Sequence, residues 1–174
     1  MTQQDPHLPK SSPVPSYLYL LDLDWIGRRS GEVKVEGALP VAFSAPPEFS
    51  GDPGMWTPEH LLVAATSSCL MTTFLAIAER SNLKVYSYRC RAFGRLEKVP
   101  GEGYRFTEIS LAPEISIAAE DVEKALRVLE KAEKNCFISN SLRAKVKLEP
   151  HITPADGSGD NSSKCEAVRR GGSS

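Results

Sequence analysis

Four cysteines stand at positions 69, 90, 136 and 165, and two of them are placed where sulfur chemistry could be done. Cys69 lies in the stretch ATSSCLMTTFLAIAER, with Ala65, Thr66, Thr72 and Thr73 three or four residues away, the spacing at which side chains on a helix meet. These small neighbours leave room for a partner beside the sulfur. Cys136 lies in AEKNCFISNSL, near the end of a second helical pattern. Taken singly, a buried cysteine is more often an inert core residue than a nucleophile. An ordinary thiol is only a few per cent thiolate at neutral pH, and apolar burial lowers that fraction further. A reactive Cys69 therefore needs a fixed positive charge. At about 4 Å and an effective dielectric near 20, a guanidinium supplies on the order of 4 kcal/mol before its own desolvation is subtracted. Arginine suits the task because its fork can hold a carboxylate on one edge and face sulfur with the other.

Other chemistries find less support. There is no CxxC pair and no Cys/His ligand spacing, so neither a metal nor a cofactor is expected. A net charge of -1 gives no reason to expect nucleic acid or an anionic membrane as partner. The N-terminal stretch MTQQDPHLPKSSPVPS has no apolar h-region, so a cytoplasmic, reducing environment is expected, where a disulfide that does form is usually catalytic or redox-sensing. Residues 61–78 carry no charge over 18 positions, but five are Ser or Thr. A helix buried on all sides in a protein core is therefore preferred to a membrane span.

These residues must be positioned by a fold, and the pattern is α+β. Residues 1–16 and 151–174 have the composition of a disordered segment and a flexible tail, the latter holding Cys165, which leaves a working domain over 17–150. YLYLLDLDW, EVKVEG and LPVAFSA read as strands, followed by a Pro/Gly loop. Thr57 is a candidate N-cap with Pro58 at the first helical position, opening a helix to about Arg80. LKVYSYRCRAFGRLEKV and YRFTEISLAPEISI, joined through PGEG, predict two long antiparallel strands, with Cys90 half-buried on the first. From Ala119 a second helix carries Val122, Leu126, Leu129 and Cys136 on one stripe, and LRAKVKLEP predicts a closing strand.

With these elements in place, WTPEHLLVAATSSCLMTTFLAIAER followed by AEKNCFISNSL resembles the OsmC/Ohr family of organic hydroperoxide reductases. The motifs are a Pro-Glu helix start ten residues before a cysteine and a second cysteine 67 residues later. The resemblance covers about residues 17–149 and implies an OsmC-like fold, with antiparallel sheets around two core helices. It implies a thiol peroxidase in which Cys69 is the peroxidatic and Cys136 the resolving cysteine. It also implies a catalytic arginine, falling on Arg29 in WIGRRSGEV with Arg28 still open, and a glutamate at Glu59. The expected partners are an organic hydroperoxide, a dithiol reductant (lipoyl-type dithiols among the candidates) and a second copy of the chain. Two departures mark an OsmC-type or outlying member: Thr57 where the Ohr branch has Asn, and Phe137 where Pro often follows the resolving cysteine.

Glu59 would aim the guanidinium and spare it from being an unpaired buried charge. Yet Glu59 and Cys69 are about 15 Å apart along a straight helix at the standard rise. Either the helix breaks between them or Glu59 serves a cysteine on another subunit, and the second option argues for an intertwined homodimer. Trp56, Met71, Phe74 and Phe137 are candidates for an apolar entrance, against ordinary core packing. A thioredoxin-fold peroxiredoxin matches the Thr-x-x-Cys of TSSC but is set aside, because no βαβ order is present. A non-catalytic dimer binding a small apolar ligand, or thiol-based sulfur handling on the same fold, are the alternatives.

Overall fold

The structure, a computed structural model, describes residues 15–155, so Cys165 and most of the expected tail lie outside the described residues. The chain divides into two compact units, one ending at Trp56 and the other beginning at Thr57.

The first unit is a three-stranded antiparallel sheet in the order β1 (Asp22–Gly27), β2 (Ser30–Lys34), β3 (Val41–Ser44). The strand expected from Tyr17 thus starts at Asp22. A tight turn joins β1 to β2, with Gly27 at φ 129° and Arg28 at φ 46°, in a region a non-glycine residue seldom enters. Leu23, Trp25 and Ile26 on β1 are all more than half exposed.

A single serine ties this sheet to the loop that follows it. Ser44 is fully buried; its hydroxyl lies 3.0 Å from that of Ser30 and accepts the Asp52 N–H at 2.9 Å. Ser30 also donates to Asp52 Oδ2 at 3.0 Å. Gly51 is required in this loop, because a Cβ there would sit 1.6 Å from the Ala45 carbonyl oxygen.

The second unit opens with α1 (Pro58–Arg80), an unbroken helix of 23 residues. Thr57 caps it as expected, its hydroxyl accepting the His60 N–H at 3.2 Å. The long hairpin β4 (Val85–Val99) and β5 (Gly103–Ile117) follows, in antiparallel register. Next come α2 (Val122–Lys134), the one-turn α3 (Phe137–Asn140), β6 (Lys145–Leu148) and β7 (His151–Pro154).

Two differences from the sequence-based expectation concern β6 and β7. Both pair parallel to β5, β6 along Glu108–Leu111 and β7 along Glu114–Ile117, so the sheet is mixed rather than purely antiparallel. The cause is the helical crossover of α2 and α3, which brings the chain back in the same direction as β5. Residues 151–154, expected in the tail, form β7 instead, which moves the tail's start beyond them.

The core lies between α1, α2 and the sheet. Leu70, Phe74 and Ala78 meet Ile109, Leu111, Ile115 and Ile117 on alternate positions of β5, with Ala125, Leu129 and Ala132 of α2. Each large aliphatic side chain buried in this way contributes about 1.5–3 kcal/mol. The buried stripe of α2 is Ala125, Val128, Leu129 and Ala132, a three- and four-residue spacing. Leu126, expected on that stripe, is 40% exposed, and Cys136 falls past the helix end. On α1 only Thr66, Leu70, Phe74 and Ala78 are buried. By length and composition this helix could cross a membrane, yet only 22% of its apolar window is buried within the chain. The expected burial on every side is not met inside one chain.

Candidate active site

Cys69 stands in the middle of α1, half-buried, and Cys136 is fully buried at the N-cap of α3. The chain leaves α2 at Asn135 and re-enters helix at Phe137, and this junction brings the second sulfur against the first. The Cys136 thiol is near enough to Cys69 for the two to shift each other's ionisation. Burial pushes the Cys69 thiol up, but four donors outweigh it: the backbone N–H of Ile138, the Cys136 thiol, the backbone N–H of Phe137 and the Thr73 hydroxyl. The net result lies below the ordinary cysteine value. The two amides are available because the first N–H groups of a helix have no partner within it.

Cys136 moves the opposite way. Burial raises it, the hydroxyl and N–H of Ser139 pull it down, and the proximity of Cys69 raises it again, leaving it above its ordinary value. The Ser139 hydroxyl lies 3.2 Å from the Cys136 sulfur. Beneath the pair, Tyr88 packs against Phe74 with ring centroids 5.8 Å apart, and its hydroxyl is buried without a hydrogen-bond partner among the described residues. Burial, then the neighbouring Cys90, then Cys136, hold the phenol well above its usual range. Cys90 is the half-buried strand residue expected, its thiol 3.6 Å from the Arg91 carbonyl oxygen.

A cavity of about 590 Å³ opens beside Cys69, within the range of about 300–1,000 Å³ common for ligand pockets. Thr72, Thr73, Ala76, Ile77, Arg80 and Phe137 line it, with Ser81, Lys131 and Asn135.

Of the four expected entrance residues, only Phe137 does so; it is 78% exposed. Phe74 is fully buried in the core, which corrects that expectation. Five residues after Cys69, it is turned about 140° round the helix. Met71, two residues on, is turned about 200° and does not line the cavity either. Trp56 belongs to the first unit, where its carbonyl accepts the Ser44 N–H at 2.9 Å.

Arg29 and Arg28 also belong to the first unit. The Arg29 guanidinium donates to the Phe49 carbonyl, and Arg28 pairs with Asp52 at 3.2 Å. Glu59 sits in the first turn of α1, and its Oε2 is buried without a hydrogen-bond partner among the described residues. Since α1 is unbroken, the first of the two options for Glu59 is removed: within one chain it does not reach Cys69. What the sequence reading missed is the set of neutral donors around Cys69. No residue pattern announced them: Cys136 is not among the usual N-cap residues, and α3 is a single turn.

A family profile described as OsmC-like protein matches residues 51–151, which include both sulfurs and the whole of α1. The chain belongs to the OsmC-like family. An uncharacterized protein of Bacillus subtilis, YmaD, is 28% identical over 137 residues, spanning 75% of this chain and 90% of the relative. Peroxiredoxin OsmC of Escherichia coli is 27% identical over 128 residues, spanning 71% and 87%. Among solved structures, an OsmC-like protein of unknown function from Vibrio cholerae superposes with a TM-score of 0.71 at 25% identity, covering 78% of this chain and 99% of that one. An organic hydroperoxide resistance protein from Elizabethkingia anophelis gives a TM-score of 0.64 at 22% identity, covering 81% and 100%. The OsmC-like fold expected from the sequence is thereby shown. The family includes proteins named for peroxide reduction and for hydroperoxide resistance, and also members with no assigned activity.

Proposed function

We propose that this OsmC-like protein is a cysteine-based peroxidase that reduces organic hydroperoxides to alcohols. The observation that carries the reading is the pairing of Cys69 with Cys136 beside the cavity, with the first thiol favoured as thiolate and the second as thiol.

The Cys69 thiolate attacks the O–O bond and takes one oxygen, becoming a sulfenic acid. The leaving alkoxide takes a proton and departs as the alcohol. Cys136 then attacks the sulfenic sulfur, and water leaves as the Cys69–Cys136 disulfide forms. A dithiol, with lipoyl groups as a candidate class, reopens the disulfide by exchange and is itself oxidised. The donors that lower the Cys69 thiol hold its sulfur as the thiolate that attacks.

Arg29, held at the β1–β2 turn, is proposed to stabilise the leaving oxygen, and Glu59 to aim a guanidinium. In a homodimer each Glu59 would serve the other subunit's site. Three features support the dimer: the unpartnered Glu59 oxygen, the exposed apolar residues of β1, and an α1 whose apolar surface is mostly uncovered in one chain. The test follows consumption of cumene hydroperoxide with dihydrolipoamide present, for the natural sequence, Cys69→Ser and Cys136→Ser. Activity should vanish in Cys69→Ser and stop after one turnover in Cys136→Ser. A natural protein no faster than free cysteine would overturn the reading.

A further inference from the structure

A second cavity, of about 470 Å³, lies between α2 and β6. Leu126, Leu129, Glu130 and Glu133 line it from the helix, and the run 145–150 lines it from the strand. Among the described residues β6 pairs with β5 alone, so its other edge is open. Just past β6, Glu149 directs its N–H to the Leu111 carbonyl at 2.9 Å. Main-chain groups alternate in direction along a strand, so those of Val146 and Leu148 point away from β5, to the open edge. Their side chains share the core face with Ile109 and Leu111, their partners on β5, while those of Lys145, Lys147 and Glu149 take the other face. A helix joining two parallel strands runs against them, so Leu126 lies toward the Pro150 end of the groove and Glu133 toward the Lys145 end. The groove thus has an apolar floor, an acidic end and an unpaired strand edge, which is a template for further pairing unless something covers it.

The chain leaves the sheet within reach of this edge. After β7 the Ala155 N–H bonds the Ile117 carbonyl at 2.7 Å, six residues along β5 from Leu111 and so about 20 Å away. The next eight residues, DGSGDNSS at 156–163, are all turn formers and can span up to about 27 Å. They are long enough to reverse and bring 164–170, KCEAVRR, alongside β6 in the opposite direction.

One antiparallel register matches the groove throughout. With Cys165 opposite Leu148, Ala167 falls opposite Val146 on the apolar face. Lys164 then falls opposite Glu149, and Glu166 opposite Lys147, on the other face. Arg169 follows at the acidic end, beside Glu133. A slip must be by two residues to keep each side chain on its face. One such slip sets Lys164 against Lys147 and the other sets Glu166 against Glu149, and like charges directly opposite are destabilising.

We infer that residues 164–170, which lie outside the described residues, add to the open edge of β6 as an antiparallel strand. They cover the groove and shelter Cys165 beside Leu148. The inference stands apart from the peroxidase reading, and its test needs no turnover.

Iodoacetamide labelling of Cys165 in the reduced full chain, read by peptide mass, is compared with labelling of a synthetic peptide of residues 160–172. Cys165 should react more slowly in the protein. Lys164→Glu and Glu149→Lys should each speed its labelling by about fivefold, the scale of one cross-strand pair. The double variant, with the charges exchanged, should restore the slow rate. Ala167→Pro removes the N–H that would bond the Val146 carbonyl, so it should speed Cys165 labelling and also amide exchange at Val146 and Leu148, followed by NMR. Because the tail lies outside the core, its variants leave the rest of the domain folded.

Labelling of Cys165 at the rate of the free peptide would overturn the inference. So would a double variant no slower than its faster single variant, or amide exchange at Val146 and Leu148 unmoved by Ala167→Pro. Protection that grows with protein concentration would place the tail of a second copy in the groove and overturn the assignment to the same chain.

Discussion

Cys136 neighbours Cys69, and the interaction between the two thiols moves them apart in acidity, the first down and the second up: Cys69 falls and Cys136 rises. A neighbouring thiolate makes Cys136 harder to ionise, while the thiol beside it makes Cys69 easier to ionise. Two titrating groups pushed apart by their surroundings can divide nucleophilic and resolving roles. Because a thiolate is populated above its pKa, the lowered Cys69 should react at a lower pH than free cysteine, and Cys136 only at a higher one. Iodoacetamide labelling against pH, read by peptide mass, should therefore modify Cys69 first. Replacing Cys136 by Ser should retain some donation to Cys69, whereas Cys136→Ala should shift the Cys69 labelling curve upward. Labelling of Cys136 ahead of Cys69 would remove the assignment of roles.

Thr73 supplies the side-chain donor to Cys69 from its own helix. Thr73→Val keeps the shape and removes the hydroxyl. Thr73 is the smallest of the contributions that lower the Cys69 thiol, so the rate of Cys69 alkylation at neutral pH should fall moderately. The labelling midpoint should move upward. A rate that stays within twofold of the natural protein would mean that the amides of Phe137 and Ile138 suffice.

Ser139 acts on the other sulfur. With the Ser139 hydroxyl 3.2 Å from it, Ser139→Ala removes a group that lowers the Cys136 thiol, so that thiol should rise further. Less of it is then ionised at a given pH, and disulfide formation after one equivalent of hydroperoxide should slow severalfold. Sulfenic acid at Cys69, trapped with dimedone, should accumulate correspondingly. The first, oxygen-transfer step should be slowed much less.

How much of this was legible in the sequence depends on the range of the interaction. The bounds of α1 could be read from Thr57 and Pro58, and the hairpin from its alternation, because both are local signals. The parallel pairing of β6 and β7 could not be read, since it depends on where the helical crossover returns the chain. The two sulfurs could be singled out by residue type. Their donors could not, because backbone amides at a one-turn helix carry no signature of their own. For a related reason Phe74 does not join the entrance: it is aromatic and near Cys69 in sequence, but helix periodicity turns it into the core.

The turn bearing Arg28 and Arg29 is held by a different kind of contact, the buried hydroxyl of Ser44. Ser44→Ala leaves the Asp52 N–H without its acceptor, and a buried group stranded in this way costs about 1–3 kcal/mol. The melting temperature should fall by several degrees. If Arg29 serves the reaction, kcat for hydroperoxide reduction should fall as well, while Cys69 alkylation should hardly change. Ser44→Thr, which keeps the hydroxyl, should retain more of both stability and kcat than Ala.

At Gly94 the hairpin lies against α1. A Cβ at this position of β4 would lie 2.5 Å from the Phe106 ring and 2.8 Å from Val63 Cγ2 of α1. Neither distance is tolerable, and the branched Val63 has little rotameric freedom with which to yield. Gly94→Ala should therefore force the helix and strand apart and destabilise the protein by about 1–3 kcal/mol, the usual cost of overpacking. Shrinking the opposing residue tests the cause: in the double variant Gly94→Ala, Val63→Ala part of the loss should return, so the two changes should be less than additive in denaturant unfolding. Strict additivity would mean that Phe106 alone, and not the approach of α1, makes glycine necessary there.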